Sequence, residues 1–184
     1  MQYFAKRGYW QQGWRCGGGY DATPPSPVDI QAWNYQGLGS PLAVQTLTDV
    51  VKSKKLILVF LSEIKASESK MKGLQKKLEF TQGISIPSDG KSGGLAMIWK
   101  EGTNVRLKIC SNSHIDMIVH NGLGVLPWRA TGFYGQHDTG KRHISWKLLN
   151  SLRKQCDLPW VLFGDFNEIT HSDEKLAWLE RDAE

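Results

Sequence analysis

The chain has 184 residues, 40% of them hydrophobic and 22% charged, with a formal net charge of +5. Those values suit one globular domain, or most of a larger one, with a hydrophobic fraction sufficient for a core. No apolar run approaches the roughly 18–20 residues of a membrane-spanning helix. The N-terminus lacks the continuous apolar stretch of a secretory signal. An intracellular location without a membrane partner is therefore expected, with nucleus and cytoplasm left open. The positive charge is compatible with a polyanionic partner and carries no information about fold.

Residues 1–28 combine "CGGG" with "TPPSP". Glycine and proline at that density break helices and strands, so this stretch is expected to be a poorly ordered leader, although Trp10 and Trp14 within it could dock. Cys16 lies there, and Cys110 and Cys156 lie far away, without the paired CxxC spacing of a zinc site. All three read as free thiols.

Regular patterning starts at residue 28. "VDIQAW" (28–33) alternates like a short strand, and "NYQGLGS" follows as a loop. Ser40 is placed to cap a helix whose first residue is Pro41, a position proline favours. Leu42, Val44, Leu47, Val50 and Val51 then fall on one face of "PLAVQTLTDVVKSKK". "LILVFLSE" (56–63) is a continuous apolar run, the pattern of a strand covered on both sides. "SESKMKGLQKKL" reads as a charged surface helix with Met71, Leu74 and Leu78 inward. "GGLAMIWK" (93–100), "NVRLKIC" (104–110) and "HIDMIVH" (114–120) are strand candidates that suggest an antiparallel meander, with "PWRATGFYG" (127–135) a fourth. "KRHISWKLLNSLRKQ" (141–155) is amphipathic, and "PWVLFGDFNEI" (159–169) is an apolar strand that runs into Asp165 and Asn167. The mixture predicts an α/β sandwich with helices outside the sheets rather than a simple alternation of strand and helix.

Polar residues at strand ends are the candidates for chemistry, because functional groups of layered α/β proteins collect there. Asn34, Glu63, Tyr134, Gln136, Asp165 and Asn167 occupy such ends. Carboxylates and amides with few sulfur or imidazole partners suit Mg²⁺ or Mn²⁺, which take one or two carboxylates and keep several waters. Each residue also has a structural reading: Glu63 as a helix cap or solvated charge, and Asp165-Phe166-Asn167 as a turn closed by its own side chains. Gly90-Lys91-Ser92 invites comparison with a phosphate-binding loop, but Ser85 stands where that motif needs glycine, so a turn between strands is the better account.

The ordered set "WNYQGLG", "LSEIK", "GLAMIW", "TGFYG" and "GDFNEI" resembles the endonuclease/exonuclease/phosphatase family over roughly residues 29–175, and within it the endonuclease domains of plant non-LTR (LINE-type) retrotransposons. The resemblance implies a four-layer sandwich of two sheets with helices outside, and hydrolysis of phosphoric esters with Mg²⁺ (or Mn²⁺). It implies metal contacts for Glu63 and Asn34, a phosphate-side role for Tyr134, orientation or deprotonation of the attacking water by Asp165, and a grip on the phosphoryl group by Asn167. Lys65, in the Glu63-Ile64-Lys65 motif, and Lys91, in the turn between strands, are candidate contacts to a nucleic-acid backbone, with DNA the expected substrate. Two departures accompany it. Tyr35 and Gln36 stand where relatives usually carry Cys and Arg. The family's C-terminal Ser-Asp-His motif has no match, because Ser172-Asp173 runs into Glu174 only a few residues after "GDFN". Residues 29–184 therefore read as the N-terminal two-thirds of such a domain, incomplete at the C-terminus, with nuclease activity weak or lost. The alternatives are a non-catalytic nucleic-acid-binding remnant or unstable fragment, and, ranked lower, a phosphatase of inositol lipids or nucleotides.

Overall fold

The structure, a computed structural model, describes residues 30–35, 40–88, 93–120 and 126–167. The expected leader, Lys91 and the 170–175 segment lie outside them. Eight strands are described: β1 (Ile30–Asn34), β2 (Leu58–Ile64), β3 (Gln82–Ile86), β4 (Gly94–Trp99), β5 (Asn104–Ser111), β6 (His114–His120), β7 (Trp128–Tyr134) and β8 (Trp160–Asp165). Three α-helices accompany them: α1 (Pro41–Ser53), α2 (Glu68–Lys77) and α3 (Arg142–Arg153). None of these helices is long and apolar enough to cross a membrane.

The strands form two four-stranded sheets, ordered β1-β2-β4-β3 and β5-β6-β7-β8. β1 runs parallel to β2 and β7 parallel to β8, each pair joined through a helix, while the remaining pairings are antiparallel. This is the expected two-sheet α/β sandwich. Alternate residues of both sheets meet in a central core that includes Ile30, Leu58, Phe60, Met97, Met117, Ala130, Val161 and Phe163. Phe60 of the first sheet and Phe163 of the second stand edge to face, with ring centroids 6.1 Å apart, an arrangement aromatic quadrupoles favour.

Helices cover the outer faces. Leu47 and Val51 of α1, and Met71 and Leu74 of α2, pack on Trp33, Val59, Leu61 and Ile98. Leu149 and Leu152 of α3 pack on Phe133 of the other sheet. Helix α1 starts as its sequence dictates: the Ser40 hydroxyl accepts from the Ala43 N–H at 3.2 Å and Pro41 follows. Ser67, rather than Glu63, caps α2.

One part of the predicted arrangement is corrected. Residues 94–99 do not join a meander with 104–110 and 114–120; β4 lies between β2 and β3 in the first sheet, and the meander is β5-β6-β7. Apolar periodicity identifies a strand without naming its partner. A turn closed by Thr103 N–H on the Lys100 carbonyl at 3.2 Å carries the chain from one sheet to the other. β3 was not anticipated: "QGISI" is a short edge strand, largely exposed and interrupted by glycine.

A charged pair is buried behind the second sheet. Arg129 on β7 forks onto Asp116 on β6, with Nε to Oδ1 at 2.8 Å and Nη2 to Oδ2 at 2.9 Å. Thr131 donates to the same carboxylate at 2.6 Å, and Arg129 also donates to the Leu152 carbonyl at the end of α3. The Trp160 indole N–H donates to the Thr131 hydroxyl at 2.8 Å, and the guanidinium lies 4.8 Å from the Trp160 ring centroid. Every formal charge of this cluster is thereby paired and hydrogen-bonded, the condition on which buried ions are tolerated.

Candidate active site

The two parallel strand pairs end at one rim of the sandwich. Asn34 closes β1 and lies opposite Ser62 of β2, the residue before Glu63. Tyr134 closes β7 opposite Asp165, the last residue of β8. The structure therefore brings Asn34, Glu63, Tyr134, Asp165 and Asn167 to the same end of the molecule. Lys65 is exposed just beyond β2. Lys91 lies outside the described residues.

Glu63 is neither a helix cap nor a solvated charge. It is 8% exposed and sits at an irregularity of the β2–β4 ladder, with φ at +57°. A left-handed residue that is not glycine costs about 1–2 kcal/mol. Gly93 permits the distortion: a Cβ there would stand 2.4 Å from the Glu63 Cα. The strained residue thus turns a carboxylate from the end of a buried strand into the space between the sheets.

Across that space the Tyr134 hydroxyl donates to Glu63 Oε1 at 2.8 Å. This bond joins the two sheets, since Glu63 belongs to the first and Tyr134 to the second. Burial and the adjoining Glu63 carboxylate push the phenol far above its ordinary range, with Asp165 adding to the effect and the Asn167 amide opposing it. Tyr134 is therefore a permanent O–H donor at any physiological pH.

Asp165 is 6% exposed. Burial, and to a smaller extent Glu63, raise its pKa, while the Asn167 backbone N–H and His137 work in the opposite direction. Gly164 delivers Asp165 to this place. Its φ is +142°, and a Cβ on it would lie 1.9 Å from the Phe133 carbonyl oxygen, so only glycine lets β8 press so closely on β7. Asn167 does not continue the strand, as an extended reading of "GDFN" would have it. Its φ is +51°, its backbone N–H donates to Asp165 Oδ1 at 2.9 Å, and its side-chain amide donates to the Gly135 carbonyl at 2.7 Å. The structural reading of Asp165-Phe166-Asn167 as a self-closed turn is thus correct, and it coexists with the placement of both side chains at the rim. Phe166 turns away and packs on Phe133 at 5.4 Å between centroids.

One site residue was not anticipated. His137 Nε2 is hydrogen-bonded to the Tyr134 hydroxyl, and the two rings stand edge to face with centroids 5.1 Å apart. It lies in a polar loop, where neither periodicity nor motif spacing gave a signal. The other described histidines are elsewhere. His114 is buried behind the second sheet, hydrogen-bonded to Ser111 at 2.8 Å, and burial lowers its pKa.

Among the described residues no group of three or more His, Cys, Asp or Glu converges as an all-protein metal cage. What does converge is a pair of acidic side chains, close enough that Glu63 raises the pKa of Asp165. That donor set fits a hard divalent ion held through one or two carboxylates and water.

A match to the Endonuclease/Exonuclease/phosphatase family runs over residues 14–184, nearly the whole chain. The chain belongs to the endonuclease/exonuclease/phosphatase family. No curated protein matches it by sequence. Among solved structures, the catalytic domain of human Nocturnin, determined with bound sulfate, superposes with a TM-score of 0.58 at 15% identity, covering 79% of this chain and 66% of that one. The endonuclease domain of TRAS1, a telomere-specific non-LTR retrotransposon, gives 0.51 at 12% identity, covering 83% and 69%. A humanised D. rerio TDP2 gives 0.53 at 16% identity, covering 76% and 62%. This member of the endonuclease/exonuclease/phosphatase family therefore spans about two thirds of the length of the structures it resembles, and at these identities the likeness is one of fold.

Proposed function

We propose that the chain is a divalent-metal-dependent phosphodiesterase that cleaves DNA, related to the endonuclease domains of plant non-LTR retrotransposons. The observation that carries this reading is the bond between Tyr134 and Glu63, which sets a phenol O–H and a carboxylate beside Asp165 at the meeting point of both sheets. Family membership makes phosphoric-ester hydrolysis the chemistry to expect. The retrotransposon endonuclease among the structural neighbours supports nucleic acid as the substrate class.

Glu63 and Asn34 are the residues that would hold Mg²⁺ or Mn²⁺, and when bound such an ion offsets charge on the phosphoryl oxygens. Asp165 orients the attacking water and accepts its proton, helped by the raised basicity that burial gives its carboxylate. Tyr134 keeps its proton and donates it to Glu63, which orients that carboxylate on the phosphate side of the site. The Asn167 amide, held between the Gly135 carbonyl and the Tyr134 phenol, stands on the phosphate side of the site. Lys65 and Lys91 serve the flanking backbone phosphates.

The test is relaxation of supercoiled plasmid by the purified chain in Mg²⁺ or Mn²⁺, against Glu63→Ala and Asp165→Ala. Nicking by the parent chain that both variants lack supports the reading. Salt-dependent DNA binding without metal-dependent cleavage would establish a binding module instead.

A further inference from the structure

We infer that His137 is a positioning residue of this site, which holds the phenolic proton of Tyr134 on Glu63. The inference rests on the site reading above and deepens it. A phenol has one hydrogen to donate and two lone pairs to accept with. The Tyr134 hydroxyl is shared by Glu63 Oε1, at 2.8 Å, and by His137 Nε2. A carboxylate only accepts, so the phenolic hydrogen goes to Glu63 and His137 Nε2 carries the hydrogen that points at the phenol oxygen. The reverse arrangement, with the phenol donating to a bare Nε2, would leave the carboxylate facing an oxygen lone pair in a buried place.

The loop is built to hold the ring there. On one side the Gln136 backbone N–H donates to the Ser145 hydroxyl of α3 at 3.0 Å. On the other, Asp138 accepts from Gly140 N–H at 3.0 Å through its side chain and from Lys141 N–H at 2.9 Å through its carbonyl. His137 is thus an exposed residue between two pinned neighbours. Its hydrogen bond reinforces the direction of the Tyr134–Glu63 bond and fixes the phenol against the carboxylate it orients.

The experiment uses the full chain and two independent readouts. Nitrogen-15 NMR of the imidazoles at about pH 8, where an ordinary histidine is neutral, reports the tautomer of His137, assigned by its loss in His137→Gln. A hydrogen fixed on Nε2 in the parent chain, and a mixed population in Tyr134→Phe, are the expected results. A hydrogen on Nδ1, or a ring indifferent to Tyr134→Phe, overturns the proposal whether or not the chain cleaves DNA. In the nicking assay His137→Ala is expected to lower kcat about tenfold, the loss of one net hydrogen bond, with KM little changed and an unaltered melting temperature. His137→Gln, whose amide nitrogen can reach the place of Nε2, is expected to recover most of it. Equal kcat for parent and His137→Ala also overturns the proposal. A parent chain with no nuclease activity but the fixed tautomer would sink the functional reading and leave the placement of His137 supported.

Discussion

Tyr134 and Glu63 belong to different sheets, and the 2.8 Å bond between phenol and carboxylate is a tie across the sandwich at the candidate-site rim. Tyr134→Phe removes the donor and leaves a buried carboxylate oxygen unsatisfied, a loss of about 1–3 kcal/mol. The expected result is a lower urea midpoint with an unchanged slope, together with reduced nicking. A variant as stable and as active as the parent would show the tie to be inert.

Asp165 predicts a pH-dependent effect of opposite sign. Its pKa in the fold is raised above the ordinary 3.8. Between those two values the folded chain binds more protons than the unfolded one, so stability falls as pH rises through that window. Asp165→Asn keeps the oxygen that accepts from Asn167 N–H and abolishes the charge. It is expected to melt higher than the parent at neutral pH, with the gain shrinking to nothing below pH 3.8. The same variant is expected to lose about 10²–10⁴-fold in cleavage rate, as when a general base is removed. Calorimetry at a series of pH values checks the first part, and single-turnover nicking the second.

Gly93 is expected to control the site without contributing a side chain to it. A methyl group at this position would meet the Glu63 Cα at 2.4 Å, backbone that has no room to yield. Gly93→Ala should cost about 1–3 kcal/mol, as overpacking does, and should impair metal-dependent cleavage more than Lys65→Ala does. Wild-type activity in a stably folded Gly93→Ala chain would show that the Glu63 backbone geometry is not required.

The pair between Arg129 and Asp116 is a stability determinant remote from the chemistry. Asp116→Ala strands a fully buried guanidinium and is expected to cost about 3–5 kcal/mol. The double replacement Asp116→Leu, Arg129→Met should cost less than either single change. Urea denaturation of Asp116→Ala, Asp116→Leu, Arg129→Met and the double variant measures both expectations.

Much of this architecture was legible in the residues, because one physical rule dominated each legible element. Ser40-Pro41 announced α1 through capping chemistry, and the unbroken apolar run before Glu63 announced a strand buried on both faces. "GDFN" marked the end of β8. Features set by a partner in space were not legible. Nothing in "GLAMIW" says that it pairs with β2 and β3, and Asp116 and Arg129 look like ordinary charges until the sheet aligns them. The left-handed conformation of Glu63 depends on Gly93 from elsewhere in the chain. His137 carried no periodic signal, since its place follows from how a loop is pinned.

Helix α3 is fastened at both ends by polar contacts of different kinds. Its last turn gives the Leu152 carbonyl to the Arg129 guanidinium, and its first turn gives the Ser145 hydroxyl to the loop that carries His137. A 12-residue helix is a rod of about 18 Å. The rod acts as a strut with one foot in the ionic cluster behind the second sheet and the other under the rim where Tyr134 and Glu63 meet. Loosening Asp116 or Arg129 is therefore expected to reach past local stability, along the helix to the loop that carries His137.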